Sequence, residues 1–282
     1  MSKRNNQQNK AAARERLRAE REKQAKKEKV RRQLVVSGSI VAVLAVAGGI
    51  GVAIANMNEG AETKVSNKEW KNEAKKRTFA KPANSGGDKG TEVVIGKKEA
   101  KNTLTVYEDM RCPVCSSFEQ ATGETVLKDI KDGKYKAQFT MGTFLDEQPQ
   151  ISGSGSKNAL SALGAALNVS PDAFLEYKKV LFAAENHPDE REDEFSDDKR
   201  LVELAQKVDA LKGNKEFEKA VNNGVYDKWA LEMSKSFDKA KDQGITGTPA
   251  FQLNGKKLTV GGDNPPMSPE QFTAVVDANL KK

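Results

Sequence analysis

Apolar residues are distributed unevenly along the 282 residues of the chain. The first 33 residues are rich in Lys, Arg, Glu and Gln, and residues 34–55 form an apolar run without a single charge. As a helix this run is about 33 Å long, enough to cross a hydrocarbon core of about 30 Å. The pattern therefore predicts a transmembrane helix over 34–55. A cleaved signal peptide is the alternative, because Ala53-Ile54-Ala55 fits the cleavage pattern of such peptides.

The charges around this run predict its orientation. Residues 1–33 carry 13 Lys or Arg against 4 Asp or Glu, whereas the rest of the chain carries 34 basic and 36 acidic residues. The positive-inside rule makes residues 1–33 a basic cytosolic tail and places everything after Ala55 outside the cytosol. Because the basic excess belongs to the tail, the charge gives no support for nucleic-acid binding by the folded part.

Residues 56–90 are polar, and the Pro- and Gly-containing stretch 82–90 predicts a juxtamembrane linker. A folded domain is expected over 91–282. Short runs rich in β-branched and aromatic residues predict strands at 92–96, 104–107 and 135–141. A helix pattern lies between the last two and ends at Asp132-Gly133.

The second half of the domain has a helical pattern over about 157–241. Within it, the acidic run 189–198 is expected to be a solvated loop between helices. Two strands at 250–253 and 257–260 then flank Asn254-Gly255, which is typical of a type I′ hairpin turn. A last helix is expected to start at Ser268-Pro269.

A strand–helix–strand unit, a helical block, a hairpin and a helix together form the thioredoxin arrangement. The predicted fold is therefore an α/β thioredoxin fold with an inserted helical domain, preceded by a single transmembrane helix. Thr248-Pro249 directly precedes the hairpin, where a cis-proline loop is expected to face the start of the first helix.

The only two cysteines of the chain, Cys112 and Cys115, lie at the start of that helix with Pro113 and Val114 between them. Outside the cytosol such a pair is either a redox catalyst or a structural disulfide. A zinc site needs about four ligands, and two thiols with one histidine do not supply them, so no metal is expected. A disulfide that closes so short a ring stabilises little, which favours the redox catalyst.

The helix start predicts different chemistry for the two thiols. Free amides and the helix dipole stabilise a thiolate at Cys112, and Pro113 suits the first helical position because it has no N–H to leave unpaired. Cys115, expected to be buried, keeps a higher pKa and suits the resolving role. A cis Pro249 leaves neighbouring backbone groups free to pair with an extended substrate.

Residues 107–119 (YEDMRCPVCSSFE) together with 247–251 (GTPAF) resemble the DsbA-like branch of the thioredoxin superfamily, in particular its membrane-anchored actinobacterial members. The resemblance covers about 91–282. It implies dithiol–disulfide exchange on secreted or cell-envelope proteins without a cofactor, with Cys112 as the nucleophile and Cys115 as the resolving thiol. It also implies that Thr248 and Pro249 shape the substrate groove, which Pro113 and Val114 border. A membrane partner, quinone-linked in such systems, is implied for re-oxidation.

Two positions depart from the pattern of this branch. Val114 stands where strongly oxidising relatives often carry histidine, and Val106 stands where many carry a buried acid that relays protons. Glu108 and Asp109 are candidate substitutes for that relay, or else they are exposed loop charges. The single histidine, His187, lies far from the cysteines in sequence and is expected to be a surface residue.

Three functions remain open. The first is an oxidase that introduces disulfides into secreted proteins. The second is a reductase or isomerase supplied with electrons through the membrane, which Val114 favours. The third is a redox-inert surface binding module in which the disulfide only braces the fold.

Overall fold

A five-stranded sheet lies at the centre of residues 65–281, which are the residues that the computed structural model describes. Its spatial order is β1-β3-β2-β4-β5, in which β2 and β3 are parallel and the other pairs are antiparallel. The predicted thioredoxin fold is thereby confirmed, with β1 as an additional edge strand. The strands are β1 (Val93–Ile95), β2 (Thr103–Asp109), β3 (Lys136–Gly142), β4 (Ala250–Leu253) and β5 (Lys256–Lys257).

Eight α-helices surround the sheet in the described part of the chain. They are α1 (Asn67–Lys76), α2 (Pro113–Asp132), α3 (Gly155–Val169), α4 (Pro171–Phe182), α5 (Asp198–Ala205), α6 (Lys215–Asn222), α7 (Asp227–Lys239) and α8 (Pro269–Asn279). Helices α3 to α7 form the insertion, which starts at Gly155. The predicted helical pattern over 157–241 is interrupted at 183–197, 206–214 and 223–226. The loop expected at 189–198 lies in the first interruption and contains a short 3-10 helix at Glu194–Ser196.

Local residues explain several element ends. Gly133, at φ 82°, takes the left-handed conformation that ends α2. Asn254 and Gly255 have φ values of 53° and 83°, as a type I′ turn requires. Strand β5 is shorter than the predicted 257–260, because the chain turns away from β4 and the Val260 N–H donates to the Asn264 carbonyl.

The two faces of the sheet have different neighbours. Val106, Phe139 and Phe251 are aligned across three strands, so their side chains share one face. On that face Phe118 of α2 and Phe272 of α8 pack against Phe251, with ring centroids 4.5 and 5.7 Å away. The opposite face carries Tyr107, whose ring meets Phe237 of α7 at 6.2 Å. Neighbouring residues at the end of β2 therefore point into different surroundings.

The segment that precedes the sheet is packed onto the domain. Trp70 of α1 is 5% exposed, and its indole N–H donates to Asn158 Oδ1 at 3.1 Å. The Trp229 indole donates to the Gly90 carbonyl at 2.6 Å. The prediction of a linker over 56–90 is therefore wrong for its described residues, which are held on the domain by the contacts of two buried tryptophans and by hydrogen bonds such as that from the Asn84 amide to the Leu167 carbonyl.

The predicted transmembrane helix at 34–55 and the basic tail at 1–33 lie outside the described residues. Between residues 65 and 281 no helix is both long and apolar enough to cross a membrane.

Candidate active site

Cys112 lies at the N-terminus of α2, just after the end of β2. The chain leaves β2 at Asp109, and the Cys112 N–H donates to the Asp109 carbonyl at 3.0 Å, which closes a tight turn. Cys112 is the N-cap of the helix, and Pro113 follows at the first helical position. The predicted placement of the pair at a helix N-terminus is thus confirmed. The dipole of a 20-residue helix points its positive end at this thiol.

The two thiols, both free, differ in environment. Cys112 Sγ accepts a hydrogen bond from the Cys115 backbone N–H at 3.3 Å, and its thiol lies 3.6 Å from the Thr248 carbonyl. The hydrogen bond with the Cys115 thiol is the main cause that lowers the pKa of Cys112, against the effect of burial. Burial is the main cause that raises the pKa of the fully buried Cys115 well above its usual value. Cys112 is therefore the thiol that ionises more easily, whereas Cys115 tends to keep its proton.

The loop before β4 completes the site. The Thr248–Pro249 peptide bond is cis, as expected, and Pro249 is buried. Because β4 pairs with β2, with Ala250 opposite Tyr107, the loop comes to lie against Cys112. Thr248 is half-buried, and its Oγ1 has no hydrogen-bond partner within residues 65–281.

The residues between the cysteines form the outer surface of the site. Pro113 is exposed, and 48% of Val114 is accessible to solvent. The structure therefore brings Pro113, Val114, Thr248 and Pro249 together around Cys112, as the sequence predicts. Val114 adds an apolar group at the position where a charge would influence the thiolate most directly.

Glu108 is buried on the face of the sheet that α2 covers. Its side chain is 0% exposed, and its Oε2 accepts a hydrogen bond from the Lys178 ammonium at 2.8 Å. The same ammonium donates to Glu119 Oε1 at 2.6 Å. Burial raises the pKa of Glu108 to about 7, and a Coulombic effect of Glu108 raises that of Cys115. Glu108 Oε1 has no hydrogen-bond partner in the described part of the chain.

Asp109 points to the opposite face and is satisfied differently. The Ser156 hydroxyl donates to Asp109 Oδ1 at 2.6 Å, and the Leu145 N–H donates to Oδ2 at 3.1 Å. Burial, followed by the charge of Asp146, raises the pKa of Asp109 to about 6. The alternative that Glu108 and Asp109 are exposed loop charges is wrong for both. Of the two, only Glu108 has a Coulombic effect on Cys115, whereas Asp109 acts on Cys112.

Arg111, which the sequence analysis did not single out, is buried directly before Cys112. Its guanidinium forms ion pairs with Asp146 at 3.0 Å and Asp193 at 3.3 Å, and it donates to the Glu190 carbonyl at 2.7 Å. Asp193 belongs to the acidic run 189–198 that was expected to be solvated; Asp193 is in fact 8% exposed and Phe195 is fully buried. The run is a loop, as predicted, but the expectation that it is solvated is wrong for residues 193, 195 and 196, because this part packs around the buried Arg111 guanidinium. No local sequence pattern indicates that contact.

His187 is also close to the active-site turn, although it is 75 residues away from Cys112 in sequence. Its Nε2 lies 3.1 Å from the Met110 carbonyl, and its ring stacks on Phe182 at 5.7 Å. Burial lowers the pKa of this imidazole. The prediction of a surface residue is therefore wrong, because the loop after α4 folds back over the turn between β2 and α2 and leaves His187 half-buried.

The described residues offer no evident metal centre. Within residues 65–281, no group of three or more His, Cys, Asp and Glu side chains is placed to hold a metal ion.

Comparison with known proteins assigns the family. The family model described as Thioredoxin matches residues 88–278, which is more than half of the chain, and the chain belongs to this family. A relative from Bacillus subtilis named Disulfide bond formation protein D is 28% identical over 166 residues. The match covers 58% of this chain and 68% of that protein.

Solved structures share the fold. A disulfide bond oxidoreductase (DsbG) from Mycobacterium tuberculosis has a TM-score of 0.54 and 24% identity, over 68% of this chain and 89% of that one. The thiol-disulfide oxidoreductase MdbA from Corynebacterium diphtheriae has a TM-score of 0.55 and 18% identity, over 73% of this chain and 98% of that one. The predicted resemblance to DsbA-like proteins is confirmed at the level of the fold.

Proposed function

We propose that this member of the thioredoxin family is a thiol:disulfide oxidoreductase that introduces disulfides into secreted proteins. The observation that carries the proposal is the difference between its two thiols. The pKa of Cys112 is lowered at a helix N-terminus, while that of the fully buried Cys115 is raised well above its usual value. An inert structural disulfide needs no such difference. The names of the Bacillus, Mycobacterium and Corynebacterium proteins support the same activity.

The reaction starts from the Cys112–Cys115 disulfide. A client thiolate attacks Cys112 Sγ, a client–Cys112 bond forms, and Cys115 leaves as a thiolate that takes up a proton. A second client thiolate then attacks the client sulfur of the mixed disulfide and releases Cys112 as a thiolate. The client loses two electrons and the protein gains them. A lowered pKa makes Cys112 the better leaving group of this second step.

Glu108 is the group that we assign to the proton transfer at Cys115. Because the pKa of Lys178 is raised by Glu108 and Glu119 against the effect of its burial, the ammonium keeps its proton. Glu108, with a pKa of about 7, exchanges a proton near neutral pH. Asp109 acts on Cys112 instead, and its carboxylate opposes thiolate formation there. The relay is therefore assigned to Glu108 rather than to Asp109.

The client is proposed to bind across the cis-proline loop. Thr248 and Pro249 present backbone that an extended client segment pairs with, next to Cys112. Pro113 and Val114 provide an exposed apolar surface on the other side of the thiol. The client backbone then passes directly over Cys112 Sγ, whichever side chains it carries.

The proposed site of action is outside the cytosol. The run at 34–55 serves as a membrane anchor in the lipid bilayer, with residues 1–33 in the cytosol. Clients are then the thiols of secreted or cell-envelope proteins. Re-oxidation of the reduced pair needs a membrane redox partner, for which a quinone-linked protein is the proposed class.

Trapping tests the exchange reaction directly. In the full chain, Cys115→Ala removes the resolving thiol. The Cys112 thiolate is expected to attack disulfide-containing client proteins, release one client sulfur as a thiolate, and accumulate as a mixed disulfide with the other. Cys112→Ala in the same background is the matched control and should trap nothing. Non-reducing gels with and without dithiothreitol measure the adducts. Equal, negligible trapping by both variants would instead support the redox-inert binding module.

The reduction potential decides the direction of electron flow. We expect a value of about −120 mV against glutathione, as for strong oxidants whose reduced form is stabilised. A value of about −270 mV, as for thioredoxin, would make the protein a reductase that receives electrons through the membrane and would overturn the proposed oxidase.

A further inference from the structure

A groove of about 880 Å³ lies between α1, the turn after β3 and α7, on the face of the domain opposite α2. Seven lysines line it, against only three acidic residues. Residues 34–282 as a whole carry slightly more acidic than basic groups, so the groove concentrates positive charge on an otherwise acidic body. A surface of this kind attracts anionic ligands.

The positive charge of the groove is only partly compensated. Its three acidic side chains each pair with a lysine of the groove at 2.6–2.7 Å: Glu147 with Lys71, Glu232 with Lys235, and Asp238 with Lys241. By contrast, three of the other lysines make no ion pair with any residue between 65 and 281, namely Lys75, Lys89 and Lys228. These three ammonium groups are available to an incoming ligand.

Apolar side chains stand among these lysines. Phe79 is 37% exposed, and the Lys89 ammonium lies 5.5 Å from the centre of its ring. Phe144 and Leu231 line the same groove. Phe144 is fixed by a stacked contact with Phe237, with ring centroids 5.8 Å apart. A small inorganic anion makes no favourable contact with apolar side chains. A polypeptide that carries both acidic and apolar side chains can pair with the lysines and pack against the apolar residues of the groove.

The groove is connected to the active site through the turn 143–148, which forms one wall of the groove. The wall turn 143–148 continues from Gly142 of β3, which is aligned with Asp109 of β2. The Leu145 N–H of this turn donates to Asp109 Oδ2 at 3.1 Å, three residues before Cys112. Phe144 also packs on the cluster that contains Ala250, the residue after the cis-proline. Groove and thiol therefore share one edge of the sheet.

We propose that this groove binds acidic segments of client polypeptides and so favours acidic clients in disulfide exchange. The inference rests on the proposed function and extends it by naming the class of client. Binding in the groove raises the local concentration of the client thiol near Cys112 and steers its approach, which increases the rate constant and makes it sensitive to salt.

Competing peptides test the proposal. The full chain in phosphatidylcholine nanodiscs is given two dithiol peptides of equal length, one with Asp and Glu around its cysteines and one with Lys and Arg. We expect the acidic peptide to be oxidised about tenfold faster per client thiolate at low salt, and the ratio to fall towards one in about 0.5 M salt.

A charge-reversed variant and a matched control locate the effect. Lys75→Glu, Lys89→Glu and Lys228→Glu together are expected to abolish or invert the preference. The same reversal at three exposed lysines outside the groove, Lys98, Lys101 and Lys212, should retain it. Because both variants change the net charge equally, a general charge effect would appear in both.

The remaining outcomes separate the proposals. An absent preference, or one that both variants lose equally, overturns the groove as a client site. If the groove variant changes the oxidation rate only when the nanodiscs contain phosphatidylglycerol, the groove binds a lipid surface rather than clients, and the proposal is overturned. If the wild-type chain oxidises neither peptide, the proposed oxidase activity fails rather than the assignment of the groove.

Discussion

Replacement of Glu108 by glutamine is the most direct test of the proton transfer that the site requires. Burial raises the pKa of Glu108 from 4.5 to about 7. At pH 7 an acid with this pKa is about half protonated, whereas an unshifted glutamic acid is only about 0.3% protonated. The buried position therefore increases the supply of the acid form roughly 150-fold at neutral pH.

The step that uses this proton is the departure of Cys115. Cys115 is 0% exposed and its pKa is raised well above its usual value, so its thiolate is a strong base that water does not reach readily. Glutamine has nearly the same size but no exchangeable acid. We expect Glu108→Gln to slow formation of the mixed disulfide by about 10²-fold at pH 7, at the lower end of the range for general acid catalysis.

Single-turnover kinetics between pH 5 and 8.5 measure the effect. Oxidised protein is mixed with a dithiol peptide, quenched in acid, and analysed for the reduced form. After correction for the client thiolate, the wild-type rate should decline as pH rises through about 7, because the acid form of Glu108 is lost. The Glu108→Gln rate should be low and should not decline there.

Glu119→Gln provides the matched control, since Glu119 pairs with the same Lys178 ammonium at 2.6 Å. Removal of its charge is expected to move the decline to lower pH without abolishing it, because Glu119 raises the pKa of Glu108. If Glu108→Gln kept the wild-type pH profile, or if Glu119→Gln abolished it, the assignment of Glu108 as the proton donor would be wrong.

The same group makes a prediction about stability. The folded-state pKa of Glu108 is higher than the unfolded one, so the native state binds the proton more tightly. The contribution of the protonated Glu108 side chain to the free energy of unfolding is fully present below about pH 4.5. It is lost as pH rises through about 7, a decline of at most about 3 kcal/mol. Urea unfolding of reduced wild-type and Glu108→Gln protein at several pH values should show this decline in the difference between their free energies of unfolding, because the contributions of other buried acids such as Asp109 cancel in that difference.

Three further predictions follow from other residues. Trp70→Ala should lower the free energy of unfolding by about 3–5 kcal/mol in urea titrations, since the indole is buried and hydrogen-bonded; a loss below about 1 kcal/mol would mean that α1 is not part of the stable domain. Val114→His places an imidazole beside Cys112 and should raise the reduction potential by about 30 mV for each unit by which it lowers the pKa of the thiol; an unchanged potential would contradict this. The single imidazole signal of His187 in NMR should titrate below pH 6.5, with the ring neutral at pH 7, and titration above 6.5 would refute its burial beside Met110.

The features that could be predicted from the sequence are those that a few neighbouring residues determine. Pro113 after Cys112 specifies a helix start, and Asn254-Gly255 specifies a type I′ turn whatever the rest of the chain does. The order of such elements is enough to identify the thioredoxin arrangement. The cis bond at Pro249 could be predicted only through the fold, because thioredoxin folds have a cis-proline at this position before the hairpin, whereas a Thr-Pro pair alone does not specify a cis bond.

The features that could not be predicted depend on contacts between distant residues. Glu108 and Lys178 are 70 residues apart, and nothing near Glu108 indicates that a cation will be buried against it. His187 reaches Met110 across 77 residues, and Trp70 reaches Asn158 across 88. In each case a polar or isolated residue looks solvated in sequence because its partner belongs to another element.

The redox poise of the site follows from which forces act on Cys112. A histidine between the cysteines would stabilise the thiolate by charge, but Val114 contributes none. Here the hydrogen bonds that Cys112 makes with Cys115 lower the thiol pKa, whereas burial and the Asp109 carboxylate raise it. Hydrogen bonds inside a folded turn are not screened by salt as surface charges are. The reduction potential should therefore change little with ionic strength, in contrast to the salt-sensitive client selection proposed for the lysine-lined groove, and the two properties can be measured separately in one protein.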